Sequence, residues 1–134
     1  MESLTAPSNS VMIIHDNTDL LNLFKDALEY KGFKTYIFND PAFALKKIKA
    51  DPHEFSLVII NYSSQIKNQL KGLGKFAIEA KVINKNIKVM LTSGFDFQTI
   101  DISKEGYDKF IQLPVKLDAL VSTVKEMLNR EVTA

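Results

Sequence analysis

The segment from Ser56 to Tyr62 constrains the fold more strongly than any other part of the chain, with the sequence SLVIINY. Its four consecutive apolar residues are mostly β-branched, and they end at Asn61. A short apolar run bounded by polar residues is typical of a strand buried on both faces of a parallel sheet. Because ligands bind beyond the carboxyl ends of such strands, we expect Asn61 to lie at the functional site.

The composition favours one ordinary globular domain. The chain has 134 residues, of which 46% are hydrophobic and 25% charged, and its net charge of +1 gives no general attraction to nucleic acid or anionic membranes. The absence of cysteine excludes disulfides and thiolate catalysis. No apolar run approaches the ~20 residues that cross a bilayer, and the first ten residues do not resemble a signal peptide. We therefore expect a cytoplasmic protein.

Short apolar runs alternate with helical patterns along the chain, which predicts an α/β fold. Five strands alternating with helices form a parallel sheet that is covered by helices on both faces. We expect the flavodoxin-like strand order 2-1-3-4-5. We also expect a flexible lead-in (1–10), one domain (11–130) and a short tail (131–134). The predicted strands are 11–14, 35–38, 56–61, 87–91 and 110–111.

Capping residues mark the first two helices. Asp16 or Asn17 can cap the first helix, and Gly32 can close it. Asp40 followed by Pro41 is a typical start for the second helix. Because these helices follow the first two strands directly, the pattern is consistent with the predicted alternation.

Polar residues follow three of the predicted strands. His15 and Asp16 follow the first strand, Asn61 ends the third, and Thr92 follows the fourth. In a sheet of order 2-1-3-4-5 these residues fall at the same edge. We therefore expect a polar pocket there.

From Val11 to Arg130 the sequence resembles a response-regulator receiver domain of the CheY-like family. That family is the phosphoacceptor module of two-component signalling. Receiver domains end their first strand with two acidic residues that hold Mg²⁺, whereas this sequence has His15 and keeps only Asp16. Their third strand ends in the aspartate that accepts phosphate from a histidine kinase, and Asn61 stands at that position.

The last two strands of the family carry further functional residues. The fourth strand ends in Thr or Ser, which hydrogen-bonds the phosphoryl group, and Thr92 matches it. The fifth ends in Lys-Pro, usually with a cis peptide bond; here Leu113 and Pro114 keep the proline and lose the lysine. Phe110 occupies the position of the aromatic switch residue. The Leu113–Pro114 bond is a candidate for the cis form.

The departures from the family pattern remove the chemistry of phosphoryl transfer. That reaction needs a carboxylate nucleophile, a divalent cation and usually a lysine that neutralises developing charge. Asn61 cannot form an acyl phosphate, and Leu113 supplies no positive charge. Asp16 alone should hold Mg²⁺ weakly at best. We therefore expect no catalytic residues, no tightly bound cofactor and no enzymatic activity.

The resemblance and the departures together imply an atypical stand-alone receiver-like domain in two-component or phosphorelay signalling. We expect it to act by protein–protein interaction, without phosphorylation at the usual site. Two alternatives stay open. The altered pocket could sense a small ligand, a metal ion or pH, with His15 as the sensing group, or the chain could be a response regulator with residual phosphorylation.

Two segments are candidates for a binding surface. Between the fourth strand and the last helix lies an apolar segment that alternates like a strand where a fourth helix is expected. The family commonly uses this face for dimers and outputs, so we expect a protein partner or a homodimer there; inward packing is the alternative. From Ile66 to Lys88 there are six lysines and one acid, which we interpret as a solvated helix face rather than a nucleic-acid surface. The apolar residues of the first segment, between the fourth strand and the last helix, are Phe95, Phe97, Ile100 and Ile102.

Overall fold

Strands and helices alternate through the chain, as the sequence predicts. The computed structural model describes residues 10–62, 69–94 and 106–133, and the side chains of residues 10–61, 75–94 and 106–128. The predicted atypical helix region lies outside the described residues. The elements are β1 (Ser10–Ile14), α1 (Thr18–Tyr30), β2 (Thr35–Phe38), α2 (Pro41–Ala50), β3 (Phe55–Tyr62), α3 (Gln69–Ile83), β4 (Lys88–Ser93), β5 (Lys109–Gln112) and α4 (Leu117–Thr133).

The five strands form one parallel sheet in the order β2-β1-β3-β4-β5, which confirms the predicted flavodoxin-like order. The order reverses at β1, so β1 and β3 are neighbours in the middle of the sheet. Doubly wound sheets of this kind bind ligands at such a switch point. The segment that ends at Asn61 is therefore a central strand, as its composition predicts.

Helices cover both faces of the sheet because alternate residues of the buried strands point to opposite sides. No helix among the described residues is both long and apolar enough to cross a membrane. One face carries α2 and α3, which pack through Ala44, Ile48, Phe76, Ala77 and Ala80 onto Met12, Ile14, Val58 and Ile60. The other carries α1 and α4, which pack through Leu21, Phe24, Leu28, Leu120 and Val124 onto Val11, Ile13, Leu57 and Ile59.

Capping confirms the predicted helix starts. Asn17, rather than Asp16, caps α1, because its Oδ1 accepts the Leu20 backbone N–H at 3.1 Å. Asp40 caps α2 by accepting the Ala42 N–H at 2.8 Å. Each cap satisfies a backbone donor that the helix itself leaves unpaired.

The outermost elements that the structure describes are β1 and α4. β1 begins at Ser10, inside the predicted lead-in, because Ser10 pairs with Phe55 of β3 and its Oγ donates to Glu54 Oε2 at 2.6 Å. At the other end, α4 continues to Thr133, which extends it into the predicted tail.

Candidate functional site

Three neighbouring strands bring their polar residues to one edge of the sheet. In the register of β3 and β4, Asn61 lies opposite Thr92. In the register of β1 and β3, Ile14 lies opposite Ile60, so His15 directly after Ile14 reaches the level of Asn61. The structure therefore places His15, Asn61 and Thr92 at adjacent strand ends.

Asn61 and Thr92 are joined to each other. Thr92 Oγ1 donates a hydrogen bond to Asn61 Oδ1 over 2.9 Å, and both side chains are buried. A hydroxyl has one proton, so this bond occupies the donor of Thr92. Because the pair is shielded from water, separating the two groups without new partners would leave desolvated polar atoms at a cost of about 1–3 kcal/mol. The amide and the hydroxyl thus hold each other in place.

His15 is buried between the strand edge and the start of α1. Its backbone N–H donates to the Phe38 carbonyl at 3.0 Å, which continues the pairing of β1 with β2. Its Nδ1 accepts the Asn17 backbone N–H at 3.0 Å. The imidazole ring packs edge-to-face on Phe24, with 6.3 Å between ring centroids. His15 is therefore fixed by the residue that caps α1 and by the core beneath it.

These contacts favour the neutral imidazole. Because Nδ1 accepts a hydrogen bond from Asn17, the single proton of the neutral ring is assigned to Nε2, which is buried without a hydrogen-bond partner among the described residues. Burial lowers the pKa of His15 below its ordinary value of 6.5, and the nearby Asp16 carboxylate opposes this effect only in part. Asp16 Oδ1 lies 3.2 Å from Nδ1.

The lowered pKa of His15 predicts that acid destabilises the fold. The unfolded chain takes up a proton at this residue near pH 6.5, while the folded protein does so only at lower pH. The stability contributed by neutral His15 is therefore present above about pH 6.5 and is lost as the pH falls through the folded pKa. Each pKa unit of difference corresponds to about 1.4 kcal/mol.

We expect denaturant midpoints measured between about pH 7.5 and about pH 5 to fall with acidity. His15→Asn keeps a short hydrogen-bond acceptor and removes the titration, so it should flatten this dependence. His53→Asn, a change at the exposed second histidine, is the matched control and should leave the slope unchanged. Equal slopes for His15→Asn and the unmodified protein would contradict this prediction.

The end of β5 completes the same edge. The Leu113 backbone N–H donates to the Ser93 carbonyl at 2.7 Å, and the Leu113–Pro114 peptide bond is cis. Leu113 is partly exposed and Pro114 is exposed. Phe110 lies opposite Leu91 and packs, partly buried, against the core cluster that includes α2 and α3. Because position 113 is a leucine and not the lysine of the family that the sequence resembles, it brings no positive charge to this edge.

Comparison with solved structures identifies the architecture. A CheY-like response regulator receiver domain protein from Methanospirillum hungatei JF-1 superposes with a TM-score of 0.78 at 20% identity, over 96% of this chain and 98% of that chain. The fold is that of a receiver domain. A response regulator receiver domain protein from Clostridium thermocellum gives a TM-score of 0.76 at 19% identity, covering 92% of this chain and 97% of that one. An orphan response regulator of H. pylori gives 0.70 at 21% identity, over 91% and 99%.

Sequence similarity does not accompany this structural similarity. No protein-family model and no curated protein matches the chain. At such identities the comparisons establish the receiver fold alone. The chemistry of the site therefore has to be argued from the residues that this chain places at the receiver positions.

Receiver domains hold Mg²⁺ at this edge, and the residues here fit that ion poorly. Mg²⁺ prefers several oxygen ligands in an octahedron. Asn61 Oδ1 accepts from Thr92 and offers a metal ion only a neutral amide oxygen, and His15 Nδ1 already accepts from Asn17, so among the described residues of this edge Asp16 supplies the charged oxygen donor. Among the described residues no group of three or more His, Cys, Asp or Glu side chains could hold a metal ion. The donor set is therefore short of what a tightly bound Mg²⁺ requires.

An ion pair between α3 and the residue before β5 was not predicted from the sequence. Lys81 Nζ on α3 lies 2.7 Å from Asp108 Oδ2 and also donates to the Ile87 carbonyl at 3.0 Å. The same Asp108 oxygen accepts the Val89 N–H at 2.8 Å. The pair fixes the chain just before β5 against α3 and β4. Its members are separated by 27 residues, and no motif in the sequence marks them.

The predicted apolar interaction face lies outside the described residues. This applies to Phe95, Phe97, Ile100 and Ile102. Of the face between β4 and α4, the structure describes the part from Gly106 onward.

Proposed function

We propose that this chain is a receiver-like signalling module that works by binding another protein, without phosphorylation at position 61. The observation that carries the proposal is the buried hydrogen bond between Thr92 and Asn61. At these positions a receiver domain keeps a carboxylate nucleophile and a hydroxyl that turns to the phosphoryl group. Here an amide, which is not a useful nucleophile, already engages the hydroxyl.

The electrostatics of the edge support the same proposal. Phosphoryl transfer needs cationic groups that neutralise charge on the transferred group. Leu113 is apolar, burial favours the neutral form of His15, and the Asp16 carboxylate is the acid of this edge. With neutral groups at three receiver positions, the resting site has little like-charge repulsion for a ligand to relieve. The conformation should therefore be set by packing and not by a phosphorylation cycle.

The proposed setting is two-component or phosphorelay signalling in the cytoplasm. The similar structures are described as response regulators or receiver domains, and one of them as an orphan response regulator. We extend this setting to the present chain on the basis of the shared fold. The proposed partner surface is the face between β4 and α4, where Phe110 is partly exposed and Pro114 is exposed. We expect no enzymatic activity.

The test is intact-mass spectrometry after incubation with Mg²⁺ and a small phosphoryl donor such as acetyl phosphate. We expect no mass increase for the unmodified protein. A variant that combines His15→Asp, Asn61→Asp and Leu113→Lys restores the two missing acids and the lysine, and should gain one phosphoryl group. Its adduct should be removed by hydroxylamine, because acyl phosphates react with this nucleophile and phosphoesters do not.

Asn61→Asp alone tests how much the nucleophile contributes, and Asn61→Gln is its matched control because it keeps an amide. A hydroxylamine-sensitive phosphoryl group on the unmodified protein would overturn the proposal. A melting temperature that rises with Mg²⁺ alone would do the same, since any ligand of the native state raises it.

A sensing pocket is the second candidate function. It is favoured by the buried Nε2 of His15, which has no hydrogen-bond partner among the described residues. Small anions, which could accept the Nε2 proton, should then raise the melting temperature of the unmodified protein but not of His15→Asn.

A further inference from the structure

The outer face of α3 combines apolar and basic side chains. Lys75, Ile78 and Val82 follow one another at spacings of three and four residues, so they share one face of the helix. All three are exposed, and Val82 is 80% exposed. Lys85, in the turn that follows α3, is exposed as well. Exposed aliphatic side chains rimmed by charged ones are a feature of interaction surfaces.

Two lysines on or next to this face form no ion pair that the structure shows. α3 carries three lysines and one acid, Glu79. Among the lysines whose side chains the structure describes, Lys81 is engaged by Asp108 and by the Ile87 carbonyl, as described above. Lys75 and Lys85 are both exposed and would meet an acidic surface without first breaking an ion pair that the structure shows.

The outer face of α1 carries the complementary pattern. Leu23, Asp26 and Tyr30 follow one another at the same spacings of three and four residues, and all three are exposed, Tyr30 at 85%. α1 contains three acids and one lysine, and that lysine, Lys25, is bound to Glu29 at 3.0 Å. One face of the domain thus presents an apolar acidic helix, and the opposite face presents an apolar basic one.

We propose that α1 of one copy docks on α3 of a second copy of this chain. The two helices offer matching apolar pairs and opposite charge, which is the complementarity that selects and orients partners. Because α1 and α3 cover opposite faces of the sheet, the contact joins two different surfaces. Such a heterologous contact leaves a free α1 at one end and a free α3 at the other. The assembly can therefore grow beyond a dimer, as an open chain of copies or as a ring.

A second copy fits the α3 face better than a membrane or a nucleic acid. Glu79 lies four residues after Lys75 and three before Val82, so it borders this face, and its carboxylate would be repelled by lipid phosphates and by a nucleic-acid backbone. The described outer face of α3 also has no aromatic side chain on which a base could stack. On a second copy the basic groups that flank α1, such as Lys31, offer a partner for Glu79.

The association should be weak and sensitive to salt. One pair of helix faces buries less surface than the roughly 1,600 Å² of a standard stable interface. Exposed charges are screened beyond about 8 Å at physiological ionic strength, so their attraction weakens as salt is added. The inference does not depend on the function proposed for the strand edge, because it uses none of the residues at that edge.

Sedimentation velocity on the full chain, between roughly 10 µM and 1 mM, tests the proposal. At low ionic strength the weight-average sedimentation coefficient should rise continuously with concentration and pass the value of a dimer. Raising the salt from about 0.05 M to about 0.5 M should weaken the association on the order of tenfold. A sedimentation coefficient that does not change with concentration would overturn the proposal, and so would one that stops rising at the value of a dimer. An acidic partner of another sequence would then be the occupant expected on the α3 face.

Charge reversals locate the contact. Lys75→Glu makes the basic face repel α1, and Asp26→Lys makes the acidic face repel α3, so each variant alone should stay monomeric. An equimolar mixture of the two variants should associate again, because the native α1 of the Lys75→Glu chain can bind the native α3 of the Asp26→Lys chain. The controls are Lys125→Glu and Glu126→Lys, which make the same charge changes at exposed positions of α4 and should associate like the unmodified protein.

Failure of the mixture to recover association would refute the contact between α1 and α3. Controls that lose association equally would show a general charge effect and refute it as well. Circular dichroism of each variant should match the unmodified protein, since all four changes are at exposed positions.

Discussion

Replacing Phe76 by alanine should lower the free energy of unfolding by about 3–5 kcal/mol. Phe76 is 2% exposed and belongs to the core cluster that joins α3 to the central strands. The substitution removes the buried ring and leaves a cavity that the surrounding sheet can fill only in part. Domains of this size have about 5–15 kcal/mol in total, so a large share of the stability is lost.

Phe43→Ala is the matched control, because the same atoms are removed on the same side of the sheet. Phe43 lies on α2, is 58% exposed and is accompanied by Lys46, whose ammonium lies 5.6 Å from the ring centroid. We expect a loss below about 1 kcal/mol, of the size usual for exposed positions and exposed cation–π pairs. Urea titrations of both variants give the comparison; equal losses would mean that Phe76 does not anchor α3.

Gly106→Ala should destabilise the protein by about 2–5 kcal/mol, for two reasons that add. Gly106 has a φ of +91°, a conformation that costs residues with a Cβ about 1–2 kcal/mol. An added Cβ would also meet Ala77 Cβ at 3.1 Å and the Ile78 backbone nitrogen at 3.3 Å. Overpacking of this kind typically costs a further 1–3 kcal/mol.

Gly32→Ala separates the two contributions. Gly32 has a φ of +96° and nothing within 4 Å of an added Cβ, so this variant should show the backbone cost alone. The difference between the two variants in chemical denaturation then measures the close approach of Gly106 to α3. If Gly32→Ala were as destabilising as Gly106→Ala, the contact with Ala77 would have no energetic weight.

The layout of the fold could be predicted because the chain carries local signals at nearly every boundary. The apolar run before Asn61 predicts a central strand, and the structure places it between β1 and β4. Capping residues such as Asp40 predict helix starts because the required hydrogen bond is local. The edge where His15, Asn61 and Thr92 meet follows from the strand order alone.

The contacts within the site could not be predicted in the same way. The bond between Thr92 and Asn61 joins side chains 31 residues apart and depends on the register of β3 and β4. The neutral state of His15 depends on its burial and on the Asn17 N–H, neither of which has a sequence signature. The lysine-rich stretch from Ile66 to Lys88 predicts a solvated helix face, and only the structure shows that Ile78 and Val82 are exposed on it.

The two strands at the margins of the sheet have a consequence for how copies of this chain can meet. β2 and β5 are the outermost strands in the order, and each is only four residues long. β5 begins with the exposed Lys109, and the cis Leu113–Pro114 bond follows it closely. Short margins with lysine and proline give another chain little backbone to pair with, which is how natural sheets resist β-aggregation. The proposed contact between copies accordingly uses helix faces, where association depends on side chains and should be reversible by salt.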